Sequence, residues 1–146
     1  MSDRPDALTP GILHVWCIHL PQSDDVVRTL EKHLSPDEVL RADRYCRERD
    51  RIRYVVAHGA LREVLAQYTA GQPCDLLFGR TAAGKPFLVD EQGEQPLRFN
   101  LSHSGNWAAV GLALSAEVGI DIEWIDSEVS TEAVAERFFS RGEFEA

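Results

Sequence analysis

The sequence predicts an α+β domain, and three observations carry that prediction. Helix-start signals and apolar residues at helical spacing are concentrated before residue 72. From Asp75 onward the pattern changes to short apolar runs joined at Gly79, Gly84, Gly93, Gly105 and Gly119, the punctuation of strands and turns. The 146 residues are 44% hydrophobic and 27% charged, the size and balance of one globular unit, in which helices followed by strands share a core.

Taken in order, residues 12–20 are apolar and closed by Pro21, which suits a first strand. Residues 24–34 read as a helix. Ser35-Pro36-Asp37-Glu38 then combines a serine N-cap, a proline where no N–H is needed and a glutamate three residues on, a complete capping box. Ile52, Val55, Val56, Leu61, Val64 and Leu65 form the buried side of a longer second helix that Gly71 and Pro73 terminate. Strands are expected at 75–78, 86–89, 97–101, 107–114 and 118–123, and a last helix over 129–138. Ser140-Arg141-Gly142-Glu143 repeats the capping box with only three residues after it. So short a helix does not persist alone, and the expectation is a piece of a larger protein.

No apolar run approaches the roughly 18 residues of a membrane span, and the start lacks a basic-then-apolar leader, so a cytoplasmic protein is expected. Cys17, Cys46 and Cys74 are odd in number and match no metal spacing, and buried or idle thiols are expected. The net charge of −9 is concentrated at the end, where residues 117–146 hold nine acids against two arginines. The opposite pole is Arg41, Arg44, Arg47, Arg49, Arg51 and Arg53, interleaved with Asp43, Glu48 and Asp50. That cluster is either a solvated helix face or a seat for a small polyanion. One such cluster on an acidic chain argues against general nucleic-acid binding, which needs a broad basic surface.

Three constellations are candidates for chemistry. Gly79 to Lys85 nearly matches a nucleotide phosphate loop, but Pro86 lacks the hydroxyl and a strand follows instead of a helix. What remains is an ordinary turn, or a lysine presented to a ligand on the Gly84-Lys85-Pro86 corner. Phe99-Asn100-Leu101-Ser102-His103-Ser104-Gly105 ends a strand in a polar cluster without a nucleophile elbow, so a serine hydrolase is disfavoured. His103 is either structural or a donor to a phosphate. In Gly119-Ile120-Asp121-Ile122-Glu123, strand alternation places both carboxylates on one face and both isoleucines on the other. Two adjacent carboxylates repel unless a cation lies between them, and oxygen ligands favour magnesium, although a solvated acidic face has the same pattern.

These motifs, with Arg137-Phe138-Phe139-Ser140, occur in the order and spacing that resemble the surfactin-type 4′-phosphopantetheinyl transferases, over residues 34–143. The resemblance implies transfer of the phosphopantetheine arm of coenzyme A to a serine of an acyl, peptidyl or aryl carrier protein. It also implies two similar halves related by a pseudo-twofold axis, each an antiparallel sheet packed on a long helix. Residues 1–117 would be the first half and 118–146 the opening strand and helix of the second. Asp121 and Glu123 would hold Mg2+, and His103 with Ser102 would contact the phosphates. Gly84, Lys85 and Pro86 would lie by the adenine, and Arg53 and Arg41 would hold the 3′-phosphate.

Two departures stand out. Glu38 occupies a place where relatives can carry a basic residue, and the family's downstream WxxKE(A/S) segment, with a third metal-binding glutamate and a lysine, is absent. The 146 residues alone are therefore expected to be weak or inactive unless copies associate or the second half is supplied. The alternative is a noncatalytic module that binds coenzyme A or a carrier protein.

Overall fold

Alternation in the first apolar run and helical spacing in the long Arg-rich segment fix the two surfaces that meet in the core. A computed structural model describes residues 7–89 and 96–125. Strand β1 (Leu13–His19) is followed by helices α1 (Asp24–Glu31), α2 (Pro36–Ala42) and α3 (Glu48–Ala66), then strands β2 (Phe78–Arg80), β3 (Pro86–Leu88), β4 (Leu97–Ser104) and β5 (Trp107–Leu114). This is an α+β fold with an antiparallel sheet of order β1-β5-β4 and a separate β2-β3 ribbon. Register runs from Leu13↔Ala113 to His19↔Trp107 on one side of β5, and from Leu97↔Leu114 to Ser104↔Trp107 on the other.

Helix α3 is buried along most of its length because it has neighbours on two sides. Its N-terminal half places Val55 and Val56 with Leu20, Val27, Leu30, Leu34 and Ala42. Its C-terminal half places Leu61, Val64 and Leu65 against Phe99, Val110 and Leu112 of the sheet. Each such side chain, removed from water, contributes about 1.5–3 kcal/mol. Among the described residues no helix is long and apolar enough to cross a membrane.

Helices α1 and α3 touch at Gly59, where a Cβ would lie 2.6 Å from the Leu30 carbonyl oxygen and 2.7 Å from its Cβ. The carbonyl oxygen is backbone and the Leu30 Cβ is fixed directly to it, so the helices must part to admit a methyl group. Gly59→Ala is expected to cost about 1–3 kcal/mol by overpacking, partly offset by about 1 kcal/mol of helix propensity. A urea midpoint that falls at unchanged m-value checks this.

The helix-start reading holds in detail at α2. The Ser35 hydroxyl accepts from the Glu38 amide and the Glu38 carboxylate accepts from the Ser35 amide, with Pro36 in the first turn. The two helices part over residues 43–47. Four expectations are corrected. Helix α3 ends at Ala66 rather than at Gly71. The chain turns there because the Tyr68 hydroxyl is tied across to β1, accepting from Trp16 Nε1 at 2.9 Å and bonding His14 Nδ1 at 2.9 Å. Asp75 closes a 3-10 turn (Pro73–Asp75), so the next strand begins at Phe78. Of the two alternatives for the cysteines, buried or idle, burial is set aside: all three are free and exposed, Cys17 because it alternates outward on β1. Finally, residues 118–123 join no backbone ladder, because side chains of β4 take the place of a neighbouring strand's carbonyls. The expected helix over 129–138 and the Ser140 capping box lie outside the described residues.

Candidate functional site

Polar residues alternate along β4 as Asn100, Ser102 and Ser104, and they organise the segment that carries the two carboxylates. The Ile120 amide donates to Asn100 Oδ1 at 2.9 Å, the Ile122 amide to Ser102 Oγ at 3.3 Å and the Trp124 amide to Ser104 Oγ at 3.0 Å. Contacts at every second residue on both stretches are those of extended backbone. Side-chain oxygens here replace the carbonyl acceptors of a neighbouring strand, which is why the expected strand forms no ladder. The alternation itself is as expected: Ile120 and Ile122 are half-buried, Asp121 and Glu123 exposed.

Both serines also bond the acids. Ser102 Oγ donates to Asp121 Oδ1 at 2.7 Å, and Ser104 Oγ donates to Glu123 Oε1 at 3.0 Å. The segment is anchored at its start by Lys85, whose Nζ donates to Glu117 Oε2 at 2.8 Å and to the Val118 carbonyl at 2.7 Å. The Lys85 ammonium, with Arg98 at 3.4 Å, holds the Glu117 carboxyl below the usual range. The Gly84-Lys85-Pro86 corner, with Gly84 at φ +82°, is thus tied to the extended segment of the acidic pair.

His103 faces away from this segment. By strand alternation it shares the side of Phe99 and Leu101, beyond the end of the core, and it is exposed. The turn that follows it connects to α3, because Arg53 Nη2 donates to Asn106 Oδ1 at 2.6 Å. Sequence-predicted residues therefore fall into two groups. Ser102, Asp121, Glu123 and Lys85 are joined through one extended segment, whereas His103 and Arg53 lie on the helix side of β4.

Arg41 sits over the Tyr54 ring, 5.8 Å from its centroid, and borders an open groove of about 620 Å³ lined by Asp37, Leu40, Arg41, Arg44 and Tyr45. The acidic pair does not line this groove. Tyr54 stacks on His58 at 4.1 Å, and its hydroxyl is pushed up to about 12, by burial first and then by the Glu38 charge, against Arg41 and Arg80. Arg80 is a cation that the sequence reading passed over, although it lies in the same loop as Lys85. It donates to the Gly84 carbonyl at 2.9 Å. Arg51, by contrast, directs its charge into the fold through Glu31, Asp43 and Glu48.

Glu38 does not oppose an anion in this groove. Its carboxylate is only 15% exposed and pairs with Arg62 Nε at 2.7 Å. Burial raises its pKa, but His58, the Ser35 amide and Arg62 together outweigh burial and hold it at about 2. Among the described residues no three His, Cys, Asp or Glu side chains gather as a metal group. Asp121 and Glu123 offer two oxygen donors.

A family model described as "4′-phosphopantetheinyl transferase, N-terminal" matches residues 20–115. The chain is 36% identical over 133 residues to the 4′-phosphopantetheinyl transferase HetI of Nostoc sp., covering 91% of this chain and 56% of that protein. It is 30% identical over 138 residues to the 4′-phosphopantetheinyl transferase psf-1 of Bacillus pumilus, covering 91% and 57%. It thus spans about half the length of the curated relatives it matches. A solved holo-[acyl-carrier-protein] synthase of Helicobacter pylori, in complex with coenzyme A, aligns at TM-score 0.49 and 17% identity over 71% of this chain and 100% of that one.

Proposed function

Since the chain belongs to the 4′-phosphopantetheinyl transferase family, we propose that it serves a magnesium-dependent enzyme that moves phosphopantetheine from coenzyme A to a carrier-protein serine. The observation that carries this reading is the acidic pair, Asp121 and Glu123, each bonded by its own serine on one extended segment whose start is tied to Lys85. Surfactin-type specificity belongs to the same reading, supported by the psf-1 likeness. So does the division at residue 117 into a first half and the opening of a second.

The donor set fits a hard divalent cation: two exposed carboxylates, no nitrogen or sulfur, and room for water and phosphate oxygens. Asp121 and Glu123 would hold Mg2+, which when bound neutralises the charge of a pyrophosphate. Arg41, Arg53 and Arg80 bind the remaining phosphate charge, since guanidinium groups match phosphate oxygens in pairs. His103, on the helix side of β4 with Arg53, would donate a hydrogen bond to a phosphate oxygen that lies away from the acidic pair. In the reaction the carrier serine oxygen bonds to the β-phosphorus as the bond to the bridging oxygen breaks. Adenosine 3′,5′-bisphosphate leaves, and the serine proton passes to a base outside the described residues.

The test is the intact mass of an apo carrier protein after incubation with coenzyme A and Mg2+. The expected result is a gain of one phosphopantetheine arm with the whole protein and none after chelation. The 146 residues alone are expected to give little or no gain. Retention of coenzyme A with no modification by the whole protein would instead favour a binding module.

A further inference from the structure

Nothing in the family reading assigns a role to Ser104, yet its hydroxyl is used twice. It donates to Glu123 Oε1 at 3.0 Å and accepts from the Trp124 amide at 3.0 Å. A hydroxyl has a single hydrogen, so this one is committed to the carboxylate and is not offered to a ligand. The same stretch is gripped again next door. Gly105, at φ +58°, lets the Trp124 ring lie against it, and a Cβ there would be 3.3 Å from Trp124 Cε3. Glu123 is exposed and its side chain has three rotatable bonds, so without Ser104 the carboxylate samples several rotamers. With Ser104 both the carboxylate and the backbone beside it are held by one atom. Ser102 makes the same double use toward Asp121.

We infer that Ser104 is a positioning residue that presets the Glu123 carboxylate for a divalent cation shared with Asp121, a role that rests on the metal reading above. Asn100 supplies the internal comparison. It anchors the same segment through the Ile120 amide and bonds neither acid, so a merely structural role would make Asn100 and Ser104 equivalent.

The experiment is Mn2+ affinity of the whole protein, by titration calorimetry and Mn2+ electron paramagnetic resonance, with coenzyme A present. Removing a group that orients a metal ligand typically weakens affinity 10–100-fold, and that loss is expected for Ser104→Ala. Ser104→Thr, which keeps the hydroxyl, should stay within about threefold of wild type, and Ser104→Val, isosteric with the threonine variant but lacking the hydroxyl, should behave like alanine. Asn100→Ala should lower the melting temperature while leaving Mn2+ affinity within about threefold. If wild type binds Mn2+ and Asp121→Ala does not, the metal reading stands. Wild-type affinity in Ser104→Val, or equal losses in Asn100→Ala and Ser104→Ala, then overturns the positioning role alone. Failure of wild type to bind, or undiminished binding by Asp121→Ala, overturns the metal reading and the Ser104 role with it.

Discussion

Asp121→Ala in the whole protein should slow phosphopantetheine transfer by about 1,000-fold or more, which corresponds to about 4 kcal/mol of transition-state stabilisation. The expectation follows from the donor count. Asp121 and Glu123 are the two oxygen donors brought together on the extended segment, and cation stabilisation of a transferring phosphoryl group contributes several kcal/mol. Asp121→Asn keeps the shape and the bond from Ser102 but removes the charge, so it should lose nearly as much. Asp24→Ala, an exposed acid in the first turn of α1, is the control and should retain activity. Mass spectrometry of the modified carrier gives the rates. A folded Asp121→Ala protein with wild-type turnover would overturn the acidic-pair assignment.

Arg62→Ala should be the most destabilising single substitution among the described polar residues. Arg62 is 1% exposed, and it donates to Glu38 at 2.7 Å, to the Pro73 carbonyl at 2.9 Å and to the Leu76 carbonyl at 3.0 Å, while its guanidinium lies 4.8 Å from the Phe78 ring centroid. Truncation leaves a buried carboxylate and two carbonyls without their donor. Breaking such a pair costs about 3–5 kcal/mol, or a melting temperature lower by roughly 10 °C or more. The same network sets the acid limb of stability. Glu38 has a folded pKa of about 2 against an ordinary 4.5, so its contribution is fully present above pH 4.5 and is lost as pH falls toward 2. The size is on the order of 3 kcal/mol. Urea unfolding at pH 6, 4 and 3 should show that loss in wild type and a shallower one in Arg62→Ala. Equal acid slopes would show that Arg62 does not hold the Glu38 charge.

Much of the local structure was legible because its causes are local. The Ser35 capping box, the close of the first strand before Pro21 and the apolar spacing of Val55, Val56, Leu61, Val64 and Leu65 each depend on residues within a turn or two of one another. The alternation of Asp121 and Glu123 against Ile120 and Ile122 was legible for the same reason, as a period-two pattern in five residues. The sequence by itself therefore determined the α+β class, the start of α2, the buried side of α3 and the candidate acidic pair.

Only the tertiary structure decided how these pieces meet. β1 pairs with β5 across almost the whole described chain, α3 stops where Tyr68 reaches β1, and Glu38 turns inward to an arginine 24 residues away. Above all, the 118–124 segment is held by side chains of β4 rather than by a backbone ladder. Hydrogen bonds are short and directional, so whether Ser104 meets Glu123 depends on the packing that brings two distant stretches within about 3 Å. Periodicity records which face a residue is on; it does not record what lies opposite.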